Sequence, residues 1–223
     1  MEQFITALKN SPPSQNVFNP WWQTDLKNDI DQLSPLVRRR QLLHYLKERQ
    51  GRAKYLLLGE ALGYQGGHFS GIAMTSERIL LGGLVNKGIE PHHVLSTITP
   101  TRTSRPSIKA QGFTEPTATM VWQFMLNQTK DPRCFVIWNA FSWHPFNPNK
   151  GYLSNRTPTP DEFKDGKAAL NLLVRLCDAQ TIVAIGEKAA VQLGEMGITA
   201  HKVRHPANGG ANKFRDQMSA IIG

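Results

Sequence analysis

The sequence contains only two cysteines and no long apolar stretch. Cys134 and Cys177 lie far apart, each among apolar neighbours, so we interpret them as buried thiols rather than as a disulfide framework. No cysteine or histidine cluster has the spacing of a zinc or iron–sulfur site, and the sequence predicts no metal and no other cofactor. No segment approaches the ~20 apolar residues of a membrane span, and the first residues lack the pattern of a secretory signal. We therefore expect a cytoplasmic protein without a membrane partner.

Acidic residues are also scarce. The chain has 17 aspartates and glutamates against 26 lysines and arginines, which gives a net charge of +9 over 223 residues. This excess favours a polyanion such as DNA, RNA or an acidic membrane face, because phosphate contacts release counterions; an ordinary solvated basic surface is the alternative. The composition, with 40% hydrophobic and 19% charged residues, indicates a globular chain. We expect one domain over residues 1–223, and a monomer.

Residues 1–50 are predicted to form a helical cap. Residues 24–25 (Thr-Asp) favour a helix start, and residues 34–35 (Ser-Pro) supply an N-cap followed by proline at the first helical position. Residues 36–48 then carry apolar side chains at helical spacing. The three arginines at 38–40 are expected on the polar side of this helix, where they either contact phosphate or form a solvated face.

From residue 54 to residue 220, short apolar segments alternate with helical patterns. The predicted strands are 55–58, 94–98, 135–138, 181–185 and 200–203. The predicted helices are 76–86, 117–128, 159–176 and 188–196. Continuous apolar strands separated by helices predict a mostly parallel sheet covered on both faces, a three-layer α/β sandwich. Ligands of such sheets bind at the carboxyl ends of the strands.

Polar residues follow three of these strands. Glu60 lies in the glycine-rich segment 59–67, Asn139 follows the strand 135–138, and His205 follows the last strand. We expect a carboxylate, an amide and an imidazole to meet at one rim of the sheet. Taken singly, each has a structural alternative: a tight turn, a strand cap and a loop histidine. The glycine spacing does not match a dinucleotide or phosphate loop.

The order of these segments resembles a known family. Residues 59–63 (Gly-Glu-Ala-Leu-Gly) resemble the Gly-Glu-x-Pro-Gly first motif of the iron–sulfur class of uracil-DNA glycosylases, with Leu62 in place of proline. Residues 137–145 are similar to the strand of that class that ends in asparagine, and residues 155–162 (Asn-Arg-Thr-Pro-Thr-Pro-Asp-Glu) to its following loop. Residues 205–207 (His-Pro-Ala) complete the pattern in the same order. The resemblance implies the uracil-DNA glycosylase fold and a role in base-excision repair.

The resemblance also implies residue roles. Glu60 and His205 take the places of catalytic residues, and Asn139 that of the asparagine that reads the base. The implied reaction is hydrolysis of the N-glycosidic bond of a uracil or related damaged base that has left the DNA helix, without further strand cleavage. A carboxylate near the sugar and a donor near the base carbonyl both stabilise the charges that develop as this bond breaks.

The sequence departs from that class at several positions. The cysteines that bind its cluster are missing, so we predict no iron–sulfur centre. Met74 stands where the family has a phenylalanine that stacks on the base, and Phe69 or Tyr64 are alternatives for that role. Gly66 falls near the position where a bulkier residue excludes the thymine methyl group. Hypoxanthine or a mismatched pyrimidine is therefore an alternative substrate.

DNA is the expected partner. Three basic residues flank the predicted site and are expected to contact phosphates: Lys202, Arg204 and Lys213. Asn208 is expected to press into the groove. A nucleotide hydrolase or transferase would need a phosphate loop or metal carboxylates, and neither is found. The main alternative is a catalytically silent DNA-binding relative of the same fold, which the substitutions at Leu62 and Met74 favour.

Overall fold

A parallel four-stranded sheet lies at the centre of the computed structural model, which describes residues 1–12 and 14–223. The strands of this described part are β1 (Val17–Phe18), β2 (Tyr55–Ala61), β3 (Phe135–Phe141), β4 (His144–Pro145), β5 (Thr181–Ile185) and β6 (His201–Val203). The central sheet has the order β3, β2, β5, β6, and its neighbouring strands are all parallel. β1 and β4 form a separate antiparallel pair.

Helices cover the sheet. They are α1 (Glu2–Lys9), α2 (Ser34–Lys47), α3 (Gly67–Ser70), α4 (Glu77–Leu80), α5 (Pro91–Val94), α6 (Pro116–Gln128), α7 (Pro160–Cys177), α8 (Glu187–Glu195) and α9 (Ala211–Ile222). The chain moves from β2 outward to β3, then back across the sheet to β5 and β6. Because crossovers between parallel strands are right-handed, this reversal places the connecting helices on opposite faces. The predicted α/β sandwich is confirmed. In the described residues, no helix is both long enough and apolar enough to cross a membrane.

The central strands form where the sequence is continuously apolar. All seven residues of β3 are buried, as are the residues of β2 from Leu56 to Gly59. β2 lies between β3 and β5, and β3, although it is at the edge of the sheet, is buried along its whole length, so neither strand has a solvated side on which polar residues alternate. The strands predicted at 55–58, 135–138 and 181–185 are confirmed, and the one predicted at 200–203 begins at His201.

The strand predicted at 94–98 is wrong. Proline at 91 starts the single helical turn α5, and the following residues form an irregular loop. The Glu48 carboxylate accepts hydrogen bonds from the backbone N–H groups of Ser96, at 2.8 Å, and Thr97, at 3.0 Å. Glu48, at the end of α2, therefore binds the backbone N–H groups that would pair with a neighbouring strand if this segment belonged to the sheet.

Two predicted helices are also corrected. The segment 76–86 is helical only in α4 and in the 3-10 turn Val85–Lys87, because Gly82 adopts a φ of 77° and interrupts the helix. No helix starts at residues 24–25; residues 26–28 form a turn, and Asp29 forms an isolated bridge with Ser104. There the Asp25 carboxylate accepts hydrogen bonds from the backbone of Lys27 and Asn28, which competes with helical pairing.

The arginines of α2 do not share one polar face. Arg38 is fully buried, and its guanidinium binds both carboxylate oxygens of Asp29, at 2.6 and 2.9 Å. Arg39 donates a hydrogen bond to the carbonyl of Trp21, whereas Arg40 is exposed. The prediction that Arg38 lies on a polar face, in contact with either phosphate or solvent, is therefore wrong, because its guanidinium is buried against Asp29 and holds the N-terminal segment on the core.

Candidate functional site

A cleft of about 390 Å³ opens at the carboxyl end of the sheet. β2 pairs with β5 only as far as Leu58, but with β3 as far as Ala61, so residues 59–61 extend beyond β5. Gly59 and Asn139 are register partners at this end of β2 and β3. The cleft is lined by Glu60, Asn139 and His205, together with residues 115–117 and 155–157. The three predicted site residues therefore line one cleft.

Glu60 lies at its rim with 29% of its side chain exposed. The ammonium Nζ of Lys188 is 3.3 Å from Glu60 Oε1, and it also donates a hydrogen bond to Thr157 Oγ1. Lys188 lies at the second position of α8, after the tight turn at Gly186. The sequence reasoning missed this cation, because a lysine in the first turn of a helix has no pattern that links it to a distant strand.

Asn139 is buried, and its side chain packs over Gly59. A Cβ atom on residue 59 would lie 2.8 Å from Met74 Sδ and 3.1 Å from Asn139 Nδ2, so a larger residue there would displace these two side chains. Asn139 Oδ1 is enclosed and has no hydrogen-bond partner in the part of the chain that the structure describes. An amide oxygen that is buried without a partner in a cleft is an acceptor available to a ligand.

Met74 lines the cleft beside Asn139, whereas the two alternative aromatic residues do not. Met74 is 5% exposed and adopts a φ of 46°, a left-handed conformation that is uncommon outside glycine. Phe69 is fully buried with its ring stacked on Phe113, at a centroid distance of 4.6 Å. Tyr64 packs edge-on against the same ring at 6.0 Å. Of the three candidates, only Met74 is available to contact a base in the cleft.

Gly66 does not line the cleft, but Glu115, which the sequence reasoning missed, does. A Cβ atom built on Gly66 would lie 2.0 Å from Glu115 Oε2, so the carboxyl of Glu115 fills the space that the glycine leaves. Burial raises the pKa of Glu115 to about 7. In the sequence Glu115 stands directly before Pro116, and no local pattern links it to Gly66.

His205 is half-buried, and its ring is held in one tautomer. The Nδ1 atom accepts a hydrogen bond from the backbone N–H of Ala207 at 3.2 Å, so the neutral ring carries its proton on Nε2. Burial lowers the pKa of His205, and the Glu60 carboxylate opposes this effect. His205 therefore lines the cleft as a neutral N–H donor at neutral pH.

The loop 155–157 is fixed by charged and polar contacts. Asn155 Oδ1 accepts a hydrogen bond from the backbone N–H of Tyr64 at 3.0 Å, which joins this loop to the glycine-rich segment. The guanidinium of Arg156 donates two hydrogen bonds to Glu162, both at 2.7 Å. Glu162 also closes a capping box with Thr159 at the start of α7. The residues of the predicted Asn-Arg-x-Pro loop thus shape one wall of the cleft.

The four predicted DNA-binding residues are exposed next to this cleft. Lys202, Arg204 and Lys213 line a cavity of about 230 Å³ that also includes His205. Lys202 forms a surface ion pair with Glu187 at 3.0 Å. Asn208, with a φ of 53°, lines a further cavity together with Glu60 and His205. In residues 1–12 and 14–223, no three His, Cys, Asp or Glu side chains group as metal ligands.

No curated protein matches the chain. The family model of the Uracil DNA glycosylase superfamily matches residues 47–221, which include the whole central sheet and every residue of the cleft described above. The motifs, the parallel sheet and the position of the cleft agree with this match, and the chain belongs to the uracil DNA glycosylase superfamily.

Proposed function

We propose that this protein is a monofunctional DNA glycosylase that binds a flipped-out uracil or related damaged base and hydrolyses its N-glycosidic bond. Membership in the superfamily supports a glycosylase activity in general. The cleft volume of about 390 Å³ falls in the range of about 300–1,000 Å³ typical of small-molecule sites. The net charge of +9 favours a nucleic-acid partner.

The observation that carries the proposal is the unpartnered Oδ1 of buried Asn139 in the same cleft as Glu60 and His205. Uracil presents an N3–H donor between two carbonyl acceptors, and an asparagine amide offers one acceptor and two donors. A flipped-out base with an N–H group would donate to the buried oxygen of Asn139 the hydrogen bond that it lacks. A ligand without a donor would leave this oxygen unpaired.

Glu60 and His205 supply the charges that the reaction needs. Breaking the N-glycosidic bond makes the sugar cationic and the departing base anionic. The Glu60 carboxylate stabilises the cationic sugar or orients the attacking water. His205, as a neutral Nε2–H donor, stabilises the negative charge on the base carbonyl. The neutral form suits this role, because it donates a hydrogen bond without holding Glu60 in an ion pair.

The proposal is tested with purified protein and oligonucleotides that carry uracil, hypoxanthine, xanthine or a thymine mismatch. After incubation, alkali converts abasic sites into strand breaks that gel electrophoresis resolves. We expect breaks at one or more of these bases and none without alkali. Tight binding to the same oligonucleotides without any break would instead support the silent DNA-binding relative. That result would contradict the proposed activity.

A further inference from the structure

Glu115 enters the cleft from a helix end. It is the N-cap of α6, directly before Pro116, yet its side chain makes no capping hydrogen bond. Its carboxyl lies instead against Gly66, in the space that a side chain at residue 66 would take. Glu115 and Asn139 therefore line the same cleft from different elements, a loop before α6 and the end of β3.

Two residues that line this cleft each carry an enclosed oxygen atom that has no hydrogen-bond partner among the described residues, Glu115 Oε2 and Asn139 Oδ1. Glu115 as a residue is partly exposed, but its Oε2 atom is shielded from solvent. Among the described residues, one other side-chain atom is enclosed without a partner, Ser76 Oγ, and it does not line the cleft. Buried polar atoms are nearly always hydrogen-bonded, so their convergence in a cleft indicates groups that a ligand satisfies.

The surroundings of Glu115 determine its charge. Burial alone raises its pKa to about 7, and no neighbouring charge contributes. The other titratable side chains of the cleft are Glu60, Arg156 and His205. Arg156 forms an ion pair with Glu162. Two further titratable residues, Tyr64 and His68, lie close to Gly66 in the sequence. Because no cation pairs with Glu115, its carboxyl carries a proton in slightly acidic solution.

We propose that Glu115 is a second base-recognising residue, whose carboxylic acid donates a hydrogen bond to a carbonyl oxygen of the flipped base. The inference rests on the proposed glycosylase function. A carboxylate would repel the anionic base as it departs, whereas the acid stabilises it. The acid also favours uracil, which has a carbonyl acceptor at C4, over cytosine, which has an amino donor there, and hypoxanthine over adenine by the same difference at C6.

The test compares the parent with Glu115→Gln and Glu115→Ala in single-turnover cleavage of the best oligonucleotide substrate from about pH 5.5 to about pH 8.5. The parent rate is expected to fall about tenfold per pH unit above pH 7, where Glu115 loses its proton. Burial lowers the pKa of His205, so its titration belongs to the acid side of the profile. Glu195→Gln, on the exposed end of α8, is the matched control and should follow the parent.

Glutamine keeps a donor but does not titrate near neutrality. Glu115→Gln is expected to be a few-fold slower than the parent at about pH 6 and faster at about pH 8.5, so that the two profiles cross. Glu115→Ala, which has no donor, should be slower than the parent by about tenfold or more at about pH 6. Thermal unfolding checks that both variants are folded.

Two results would overturn the inference while the glycosylase function stands: a parent rate that does not fall above pH 7, or a Glu115→Gln rate as low as that of Glu115→Ala throughout. If the parent cleaves none of the substrates at any pH, the proposed function fails, and the inference fails with it.

Discussion

Glu60 and His205 line one cleft but differ in their electrostatic surroundings. Glu60 forms an ion pair with Lys188, whose ammonium nitrogen lies 3.3 Å from Glu60 Oε1. His205 is half-buried, and burial lowers its pKa, which favours a neutral ring. Neighbouring groups thus give one cleft an anion and a neutral donor, the two forms that suit a cationic sugar and an anionic base.

The first prediction concerns this pair. Glu60→Gln removes the negative charge but keeps the size of the side chain, and His205→Ala removes the donor. Each is expected to slow single-turnover cleavage by about 100-fold or more, as usual when one such group is removed. Oligonucleotide binding, measured by fluorescence anisotropy, should change little. Variants that cleave like the parent would show that the reaction does not use this cleft.

The second prediction concerns Gly59. In Gly59→Ala the new methyl group meets Met74 Sδ at 2.8 Å and Asn139 Nδ2 at 3.1 Å, so Met74 and Asn139, which both line the cleft, must shift. Cleavage is expected to slow by about tenfold or more, since small displacements in a binding site have large effects on rate. Gly194→Ala is the matched control, because its methyl group meets no atom within 4 Å and alanine favours the helix. That variant should cleave like the parent and melt at a higher temperature.

At the scale of elements, a buried hydrogen-bonded chain joins the N-terminal segment to the walls of the cleft. His144 Nε2 contacts the carbonyl of Ser154 at 2.8 Å, so this nitrogen must carry a proton. In the neutral ring, His144 Nδ1 then accepts from Nδ1 of His68, 2.9 Å away. His68 Nε2 lies 3.2 Å from Asp25 Oδ2. The chain connects α3, β4 and the loop before residue 155, so it helps to hold the loop 155–157 in place.

The third prediction follows from His144. Burial lowers its pKa to about 3, and a second ring proton would face the proton of His68. The unfolded chain therefore binds protons at a higher pH than the folded one, so this stability is full above about pH 6.5 and decreases as the pH falls. The thermal unfolding midpoint is expected to decrease from about pH 6.5 to about pH 5.

Substitutions separate His144 from the other histidines. His144→Gln should have a smaller pH dependence over this range, although its midpoint at pH 7 is lower. Burial also lowers the pKa of His68, His93 and His205, which accounts for a remaining slope. His201→Gln, at an exposed position, should keep the slope of the parent. An equal slope in the His144 variant would show that its protonation does not limit stability.

At the scale of the whole molecule, the effect of the net charge of +9 on DNA binding depends on where the basic side chains lie. Lys202, Arg204 and Lys213 are exposed and line a cavity that shares His205 with the cleft. A DNA strand that places a base in the cleft would bring its phosphates close to this surface. Phosphates bound there release counterions, so the affinity should depend on salt.

The fourth prediction measures this effect. The DNA affinity of the parent should fall steeply with rising salt. In a plot of the logarithm of the association constant against the logarithm of the salt concentration, a triple alanine variant of Lys202, Arg204 and Lys213 should have a less steep slope. The difference should be about 0.9 for each phosphate that the variant no longer neutralises. The control replaces three exposed lysines near the amino ends of the strands: Lys47, Lys54 and Lys130. This control variant has the same net charge as the first triple variant, but its slope should stay close to that of the parent. Equal slopes in both triple variants would place the phosphates elsewhere.

The sequence predicts an element correctly where the residues of that element determine its structure. The central strands can be recognised because their residues are apolar without interruption, and α7 because Thr159 and Glu162 form a capping box before an amphipathic segment. The strand prediction for the segment 94–98 is wrong although the segment is largely apolar, because Glu48 at the end of α2 binds its backbone. Contacts between distant segments override local propensity there.

The sequence by itself determined the α/β class and the placing of Glu60, Asn139 and His205 at one rim, because the carboxyl ends of parallel strands meet at the same edge. Only the tertiary structure decided what surrounds them. Glu115 in the space beside Gly66 and Lys188 beside Glu60 both depend on how separate elements pack. Side chains in a protein interior are closely packed, and which of them fills the space beside a glycine depends on how the separate elements pack. No local sequence pattern encodes that.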